Sequence, residues 1–222
     1  SQLQSTLNSV IGAANYDIGH MFGSSGGGGN AGCIGCVCTN DSASTVDKNK
    51  GAGYTSPSNN VPSGDTFDID YVVHEMGHQL GANHTFTHSN EDNAVNFEPG
   101  SGSTIMAYAG ITTKDVQGNS DDYFHAGSID QVQTNMTGKT CDVETAIGHG
   151  VPVVNAGADY TIPVGTAFML TGTATDADSS DVLTYLWEQN NVGTASGNSS
   201  RVLKTKTAGP NWRTFKPSTN NY

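Results

Sequence analysis

YVVHEMGHQLGANH, residues 71–84, places three histidines at the spacing of a metal site. His74 and His78 lie four residues apart, so on a helix both imidazoles point to the same side, one turn apart. Gly81 follows, and a residue without Cβ can adopt a left-handed conformation there, end the helix and turn the chain back. His84 then arrives as the third ligand. Three protein ligands leave the fourth position of a tetrahedral zinc ion open, as in catalytic sites.

Glu75 is the candidate general base of this site. It directly follows the first histidine, where its carboxylate cannot join the ligands without distorting the helical turn but can reach an attacking water. A chance match to HExxH on a surface helix is the competing interpretation. The extended motif contains five fixed residues, which favours the zinc site.

Composition favours an exported, loop-rich protein that contains β-structure. Of 222 residues, 35% are hydrophobic, only 14% are charged and 28 are glycine. The net charge of −12 argues against binding to nucleic acid or an anionic membrane, because both need a basic surface. No apolar run approaches the roughly 18 residues that span a bilayer. We therefore expect a secreted or cell-surface protein, and we expect it to be a monomer.

Hydrophobic periodicity predicts helices and short strands around the motif. Leu3, Leu7, Val10 and Ile11 form one apolar stripe on an N-terminal helix that packs on other parts of the fold. Asp65 or Asp68 is expected to cap the helix that carries the motif. The other predicted elements are strands at 16–22, 31–38 and 51–55, a flexible glycine turn at 23–30, and a last helix at 126–138.

The character of the chain changes near residue 148. From Val151 onward, β-branched and polar residues alternate and turns recur, which predicts an Ig-like β-sandwich with Trp187 in its core. About 70 residues remain for a fold that usually takes about 100, so we expect a partial module. The predicted domains are a catalytic domain at 1–147 and this module at 148–222.

An acidic turn lies within the predicted module. Asp176, Asp178 and Asp181 have a spacing that can gather oxygen ligands around Ca²⁺. Acidic turns on β-sandwiches also serve solubility alone, and no complete EF-hand loop is present. Both interpretations stay open.

HEMGHQLGANH resembles the HExxHxxGxxH signature of the metzincin zinc peptidases. Met106, in STIMAYAG, is the candidate Met-turn methionine, and we expect it to form a hydrophobic floor beneath the imidazoles, because a thioether is a poor zinc ligand. Within the metzincins, the chain is similar to the bacterial branch of the reprolysin, or adamalysin-like, group. The features that carry this similarity are a glycine-rich segment ending in cysteine, AGCIGCVC, and a lone cysteine after the last helix.

The resemblance implies an α+β catalytic domain with a mixed sheet and an active-site helix. It also implies that a protein or peptide substrate binds as an extended strand, antiparallel to an edge strand within 30–38. By the family pattern, Cys38 pairs with Cys141, which leaves Cys33 and Cys36 for a local bridge. The residues expected to form the substrate edge strand are Gly32, Cys33, Ile34, Gly35 and Cys36.

Tyr108 follows Met106 at the M-x-Y spacing of astacin-like and serralysin-like metzincins. The similarity implies that its hydroxyl binds zinc or the oxyanion, whereas a packed tyrosine under the site is the alternative, and both stay open. We expect His20 and His125 to be packing or hydrogen-bonding residues, and His88 to be solvent-exposed in a polar loop.

The leading hypothesis is a secreted zinc endopeptidase. The rival is a non-catalytic adhesion or binding module with a vestigial or structural metal site, and the presence of Glu75 favours the enzyme because a decayed site would lose its base first. Only 73 residues precede His74, and a complete reprolysin-like domain has two further strands and a helix there. We therefore expect that N-terminal strands are missing from this chain or that this subdomain is reduced.

Overall fold

The computed structural model describes residues 1–42, 49–89, 91, 93–193 and 202–222. These residues form two compact units. The first contains Ser1–Val143 and Glu188–Arg213, and the second contains Glu144–Trp187 and Thr214–Tyr222. The described chain is α+β, with short strands and few helices. The segment 188–213, which the sequence places in the C-terminal module, is therefore part of the first unit.

Helix α1 (Gln2–Val10) begins directly after Ser1. The Ser1 hydroxyl accepts a hydrogen bond from the N–H of Gln4 at 3.2 Å and so caps the helix. The predicted apolar stripe is only partly buried, because Val10 and Ile11 are 73% and 47% exposed. The buried residue of α1 is the polar Gln4. A short 3₁₀ helix (Ala13–Asn15) follows.

Three short strands form the sheet of the first unit. Strand β1 (His20–Phe22) pairs in parallel with β3 (Gly53–Ser56). Strand β2 (Gly28–Asn30) pairs antiparallel with the other side of β3. The sheet is therefore mixed, as predicted, and β2 is an edge strand.

The prediction of a strand at 31–38 is wrong. The residues Gly32, Cys33, Ile34, Gly35 and Cys36 form turns, and the edge strand β2 lies upstream, in the glycine run that the sequence predicts as a flexible turn. The physical reason is the backbone: Gly32, Gly35 and Cys38 have φ values of +78°, +73° and +64°, which an extended strand does not contain. The Cys33–Cys36 disulfide also closes this segment into a tight loop.

The motif lies on a helix of two parts. A π-helical segment (Thr66–Val73) continues directly into α2 (His74–Leu80). Asp65 precedes the first helical residue, but its side chain makes no capping hydrogen bond within the described chain, and Asp68 lies inside the helix. The predicted aspartate cap is therefore wrong.

Gly81 ends α2, as predicted from the motif. Its φ is +125°, and its N–H lies 3.0 Å from the carbonyl oxygens of Gly77 and His78. A side chain is strained at this φ, so glycine allows the chain to reverse here.

Helix α3 (Ala126–Met136) packs against α2. Nδ1 of His125 accepts a hydrogen bond from the N–H of Gly127 at 3.1 Å and caps α3. The predicted last helix is thus confirmed, with its C-terminal end close to Gly138. The apolar core beside both helices consists of Ala82, Ile105 and Met106, surrounded by Ile69, Val73, Phe124 and Val132.

Both expected disulfides are present. Cys33 pairs with Cys36, and Cys38 pairs with Cys141, 103 residues further along the chain. The Cys38–Cys141 bond joins the segment after α3 to the turns that follow β2. Nζ of Lys139 adds a hydrogen bond to the carbonyl oxygen of Gly35 at 3.0 Å, next to this bond.

The second unit contains one small sheet in the described residues. Strand β4 (Val153–Asn155) pairs antiparallel with β5 (Thr173–Thr175). Trp187 is half-buried and lines a cavity of this unit with Tyr160 and Phe168. Two strands are fewer than a sandwich needs, so the Ig-like module stays a prediction.

Candidate metal centre

Three histidines meet at the end of α2. His74 and His78 lie one turn apart on that helix, and the reversal at Gly81 brings His84 to them. One ligand atom from each histidine lies within 4.8 Å of those of the other two. Within the described residues, no fourth histidine, cysteine or carboxylate belongs to this cluster. A structural zinc site usually has four protein ligands, whereas a catalytic site has three and leaves the fourth coordination position open. The cluster of three histidines agrees with the catalytic arrangement.

The tautomers of the first two histidines follow from their hydrogen bonds. Nδ1 of His74 lies 2.7 Å from the carbonyl oxygen of Ile105, and Nδ1 of His78 lies 2.7 Å from that of Ala82. Because a carbonyl oxygen only accepts, each Nδ1 carries the proton and donates it. In the neutral rings, each Nε2 therefore presents a lone pair to the centre of the cluster.

A carboxylate orients the third histidine. Nδ1 of His84 lies 2.6 Å from a carboxylate oxygen of Glu91. Histidines that bind metal ions commonly donate their second N–H to a carboxylate or a carbonyl, which sets the ring orientation and makes the ligand more basic. All three histidines thus have this kind of support.

The Nε2 atoms lack protein partners that would satisfy them. Nε2 of His78 lies 2.9 Å from Nε2 of His84, so two lone pairs face each other when both rings are neutral. Nε2 of His74 is buried and has no hydrogen-bond partner among the described residues. Without a bound cation, the two facing lone pairs and the unpaired buried nitrogen both cost folding free energy. A cation among the three nitrogens satisfies them, and imidazole is a ligand that suits zinc, so the residues fit a zinc ion.

Burial keeps two of these histidines neutral. It lowers the pKa of His74 well below its usual range, with His78 and His84 as further causes. It also lowers the pKa of His78 to about 4, and His84 adds to this shift. Since neutral imidazole is the form that binds a metal ion, protons do not compete at these two residues at neutral pH.

Glu75 contacts the edge strand β2. A Cβ atom at Gly29 would lie 2.5 Å from Cγ and 2.6 Å from Oε1 of Glu75, so a side chain at this position would displace the Glu75 carboxylate. The N–H of Ala31 donates a hydrogen bond to the Glu75 carboxylate. Burial nevertheless raises the pKa of Glu75 to about 7. A carboxylate with this pKa can both accept and return a proton near neutral pH.

Met106 is fully buried in the apolar core, where it packs with Ala82 and Ile105. The carbonyl oxygen of the preceding Ile105 accepts from His74, and that of Met106 accepts from the N–H of Thr85, directly after His84, at 3.1 Å. The turn at Met106 therefore supports two of the three histidines through its backbone. Its position agrees with the predicted packing role.

Tyr108 lies against the same cluster. Its ring centroid is 4.5 Å from that of His84 and 5.5 Å from that of His74. Burial raises the pKa of Tyr108 to about 12, and Glu91 and Glu75 add to this shift. The hydroxyl therefore stays protonated at neutral pH and can donate a hydrogen bond. This position agrees with both roles that the sequence leaves open.

A cavity of about 400 Å³ opens beside His74 and Glu75. Gly28 and Gly29 of β2 line one part of it, and the segment 107–111, after the Met-turn, lines another. Its remaining lining residues come from the first part of the motif helix and from 118–120. The histidine cluster therefore borders a space that can hold a ligand.

Three further histidines, His20, His88 and His125, lie outside the cluster and make hydrogen bonds or packing contacts. Nδ1 and Nε2 of His20 lie 2.7 Å from side-chain oxygens of Gln79 and Thr55, which confirms a hydrogen-bonding role. His125 is fully buried at the start of α3. The prediction that His88 is solvent-exposed is wrong: the ring is half-buried and lies tilted against Phe86, with 4.3 Å between the ring centroids.

The predicted calcium ligands are only partly brought together. Asp178 and Asp181 lie near His149 at the surface of the second unit. Asp176 is not in this group, and its carboxylate accepts the N–H of Asp178 at 2.8 Å. The structure therefore lends no support to calcium at the predicted set.

Two residues near the histidine cluster, Glu91 and Asp70, are not among the site residues predicted from the sequence. Glu91 lies in a polar loop, and its only signal in the sequence is its place seven positions after His84, a predicted ligand. Asp70 lines the cavity and lies four residues before His74, the i, i+4 relationship that places two side chains on one face of a helix. That spacing would have identified it.

The described chain contains no helix that is both long and apolar enough to cross a membrane. Neither the curated proteins nor the solved structures contain a match to the chain. The family described as metallo-peptidase family M12B, reprolysin-like, matches residues 1–140, which include the three histidines, Glu75 and Met106. The chain therefore belongs to the M12B reprolysin-like family of metallopeptidases.

Proposed function

We propose that this protein is a secreted zinc-dependent endopeptidase in which His74, His78 and His84 bind the ion and Glu75 is the general base. The observation that carries the proposal is the set of three histidines whose Nε2 atoms converge beside a half-buried glutamate. Membership of a metallopeptidase family supports the same reaction class.

A bound zinc ion supplies a Lewis acid that polarises the scissile carbonyl group and makes water more acidic. Glu75 takes a proton from the attacking water and delivers it to the leaving amine. A pKa of about 7 suits a group that must act in both directions. Tyr108, with its hydroxyl protonated, donates a hydrogen bond to the developing oxyanion.

The substrate binds as an extended strand antiparallel to β2. Among the described residues, β2 pairs with β3 on one side and with no strand on the other, so its other edge offers backbone groups to a peptide. Gly28 and Gly29 line the cavity, and a bare backbone lets a peptide approach Glu75 closely. This assigns the substrate-binding strand to 28–30 in place of the predicted 32–36.

The rival function is a non-catalytic binding module with a structural or vestigial metal site. A structural zinc site usually has four protein ligands, and the described residues offer three. A vestigial site has no reason to retain a half-buried base beside an open cavity. Both observations favour the enzyme.

Secretion and the domain assignment complete the proposal. Disulfides persist in oxidising compartments, and the two in this chain support an extracellular location. The proposed catalytic and metal-binding residues all lie within 1–147, and the segment 188–213 packs in the same compact unit. We propose that the enzyme acts as a monomer.

The test combines metal content with peptide cleavage. Purified protein is loaded with zinc, its metal content is measured by mass spectrometry, and denatured proteins and a peptide library are offered as substrates. We expect one zinc ion per chain and cleavage that a zinc chelator abolishes. Glu75→Gln should keep the zinc and lose roughly 100- to 10,000-fold in kcat. A zinc-loaded protein that cleaves none of these substrates would refute the proposal, as would full activity of E75Q.

A further inference from the structure

We propose that the cavity beside the histidine cluster binds a lysine or arginine side chain of the substrate, with Asp70 as its ionic partner. The inference rests on the proposed peptidase function and names the substrate class: peptides with a basic residue next to the scissile bond.

The cavity has both apolar and polar lining residues. The apolar ones include Ala107, Ala109 and Ile111. Towards the start of the motif helix, the lining is polar and internally hydrogen-bonded. Asn119 Nδ2 donates to Thr66 Oγ1 at 3.2 Å, and the N–H of Ser120 donates to Asp70 Oδ1 at 2.9 Å.

Asp70 is the acidic residue of this polar part. It is half-buried, and no lysine or arginine of the described chain lines the cavity or forms an ion pair with Asp70. Burial raises the pKa of Asp70, which means that its charged form has lost water that nothing cationic replaces. A cationic ligand head group restores that lost stabilisation.

The cavity suits a long side chain with a charged end. Asp70 lies four residues before His74 on the motif helix, and both residues line the same cavity. The aliphatic stem of a bound lysine or arginine packs on the apolar walls while its charged end reaches Asp70.

An apolar substrate side chain fits less well. A leucine or phenylalanine that filled the cavity would remove more water from Asp70 and offer no partner, which costs free energy. An acidic side chain would add repulsion from Asp70 and from Glu75, which lines the same cavity. The net charge of −12 also favours the approach of basic peptides over acidic ones.

The first experiment maps cleavage sites in denatured proteins by mass spectrometry and then compares matched peptides. The peptides differ at one position next to the cut: arginine, its neutral isostere citrulline, or leucine. For the wild type, we expect kcat/KM to be roughly 10- to 100-fold higher with arginine than with citrulline, the usual range for a charge-assisted hydrogen bond. No enrichment of basic residues at the cuts would overturn the inference.

Two variants test whether Asp70 causes the preference for arginine. Asp70→Asn keeps an oxygen for the Ser120 N–H and removes the charge, so the ratio of kcat/KM for the arginine peptide to that for the citrulline peptide should fall towards one. Asp68→Asn is the matched control, because Asp68 is an exposed aspartate of the same helix that does not line the cavity. An arginine preference that persists in D70N would contradict the proposal.

A binding measurement separates this inference from the peptidase proposal. Nα-acetylarginine amide and the citrulline analogue are titrated into zinc-loaded wild type, D70N and D68N by calorimetry. We expect only the arginine compound to bind, and D70N to weaken its binding roughly 10-fold or more. If no peptide is cut but the arginine compound binds and D70N weakens its binding, the peptidase proposal is refuted, whereas the assignment of Asp70 to a binding pocket for basic side chains is supported. Equal binding to wild type and D70N would refute the pocket.

Discussion

Gly29 of β2 faces Glu75 of the motif helix so closely that an alanine at position 29 would place its Cβ 2.5 Å from Cγ of Glu75. We expect Gly29→Ala to displace the carboxylate and to lower kcat/KM by about 100-fold, the effect of a catalytic group misplaced by about 1 Å. Zinc content should not change, because the three atoms nearest to such a Cβ all belong to Glu75 and not to a histidine of the cluster. The matched control is Gly138→Ala, since a Cβ there meets no atom within 4 Å. Equal activity of both variants would contradict this role for Gly29.

Removal of the carboxylate that orients His84 should weaken zinc binding. Glu91 lies 2.6 Å from Nδ1 of His84, and loss of such a partner typically costs about 10- to 100-fold in metal affinity. We expect this loss in Glu91→Ala and a smaller one in Glu91→Gln, which keeps an oxygen acceptor. The zinc dissociation constant is measured by competition with a fluorescent chelator. Asp130→Ala, which removes an exposed acid from α3, should leave the constant unchanged.

Tyr108→Phe tests the hydroxyl without removing the ring. The ring contacts to His84 and Phe86, both at 4.5 Å between centroids, should survive, so zinc content and thermal stability should stay at wild-type values. Loss of a hydrogen bond to the oxyanion should lower kcat by roughly 100-fold with little change in KM. A kcat equal to that of the wild type would identify Tyr108 as a packing residue only.

Glu188 should make the protein less stable as pH rises. Its side chain is only 8% exposed, 3.8 Å from Nδ1 of His125, and burial raises its pKa from 4.5 to about 7. Between these pH values, the folded chain binds more protons than the unfolded chain, so the free energy of unfolding falls with increasing pH. For this one group the loss reaches about 3 kcal/mol above pH 7.

Glu188→Gln removes this titration and keeps an oxygen for the N–H of Ala126, which donates to Glu188 at 2.7 Å. We expect E188Q to gain stability over the wild type between pH 5 and pH 8, as measured by urea denaturation at both values. Asp142→Asn, at an exposed acid, should show no such gain. A stability difference between E188Q and wild type that stays constant with pH would contradict the assigned pKa.

The sequence predicts those parts of the site that depend on local spacing. His74, His78 and Gly81 are set by helical geometry, and the convergence of His84 follows from the reversal at Gly81. The edge strand could not be predicted correctly, because glycine runs carry no side-chain alternation and the turns at 31–38 depend on positive φ angles and a local disulfide. Glu91 reaches His84 only through the course of an irregular loop, which no periodicity encodes.

The Cys38–Cys141 disulfide encloses the motif helix, the Met-turn and α3 in one covalent loop. Any single cut of the backbone between these cysteines leaves both fragments attached to each other. A peptidase that nicks itself between His84 and Met106 would therefore retain its three histidines and its buried methionine in one molecule. Such a nicked chain would migrate as one band in a denaturing gel without reductant and as two bands with it.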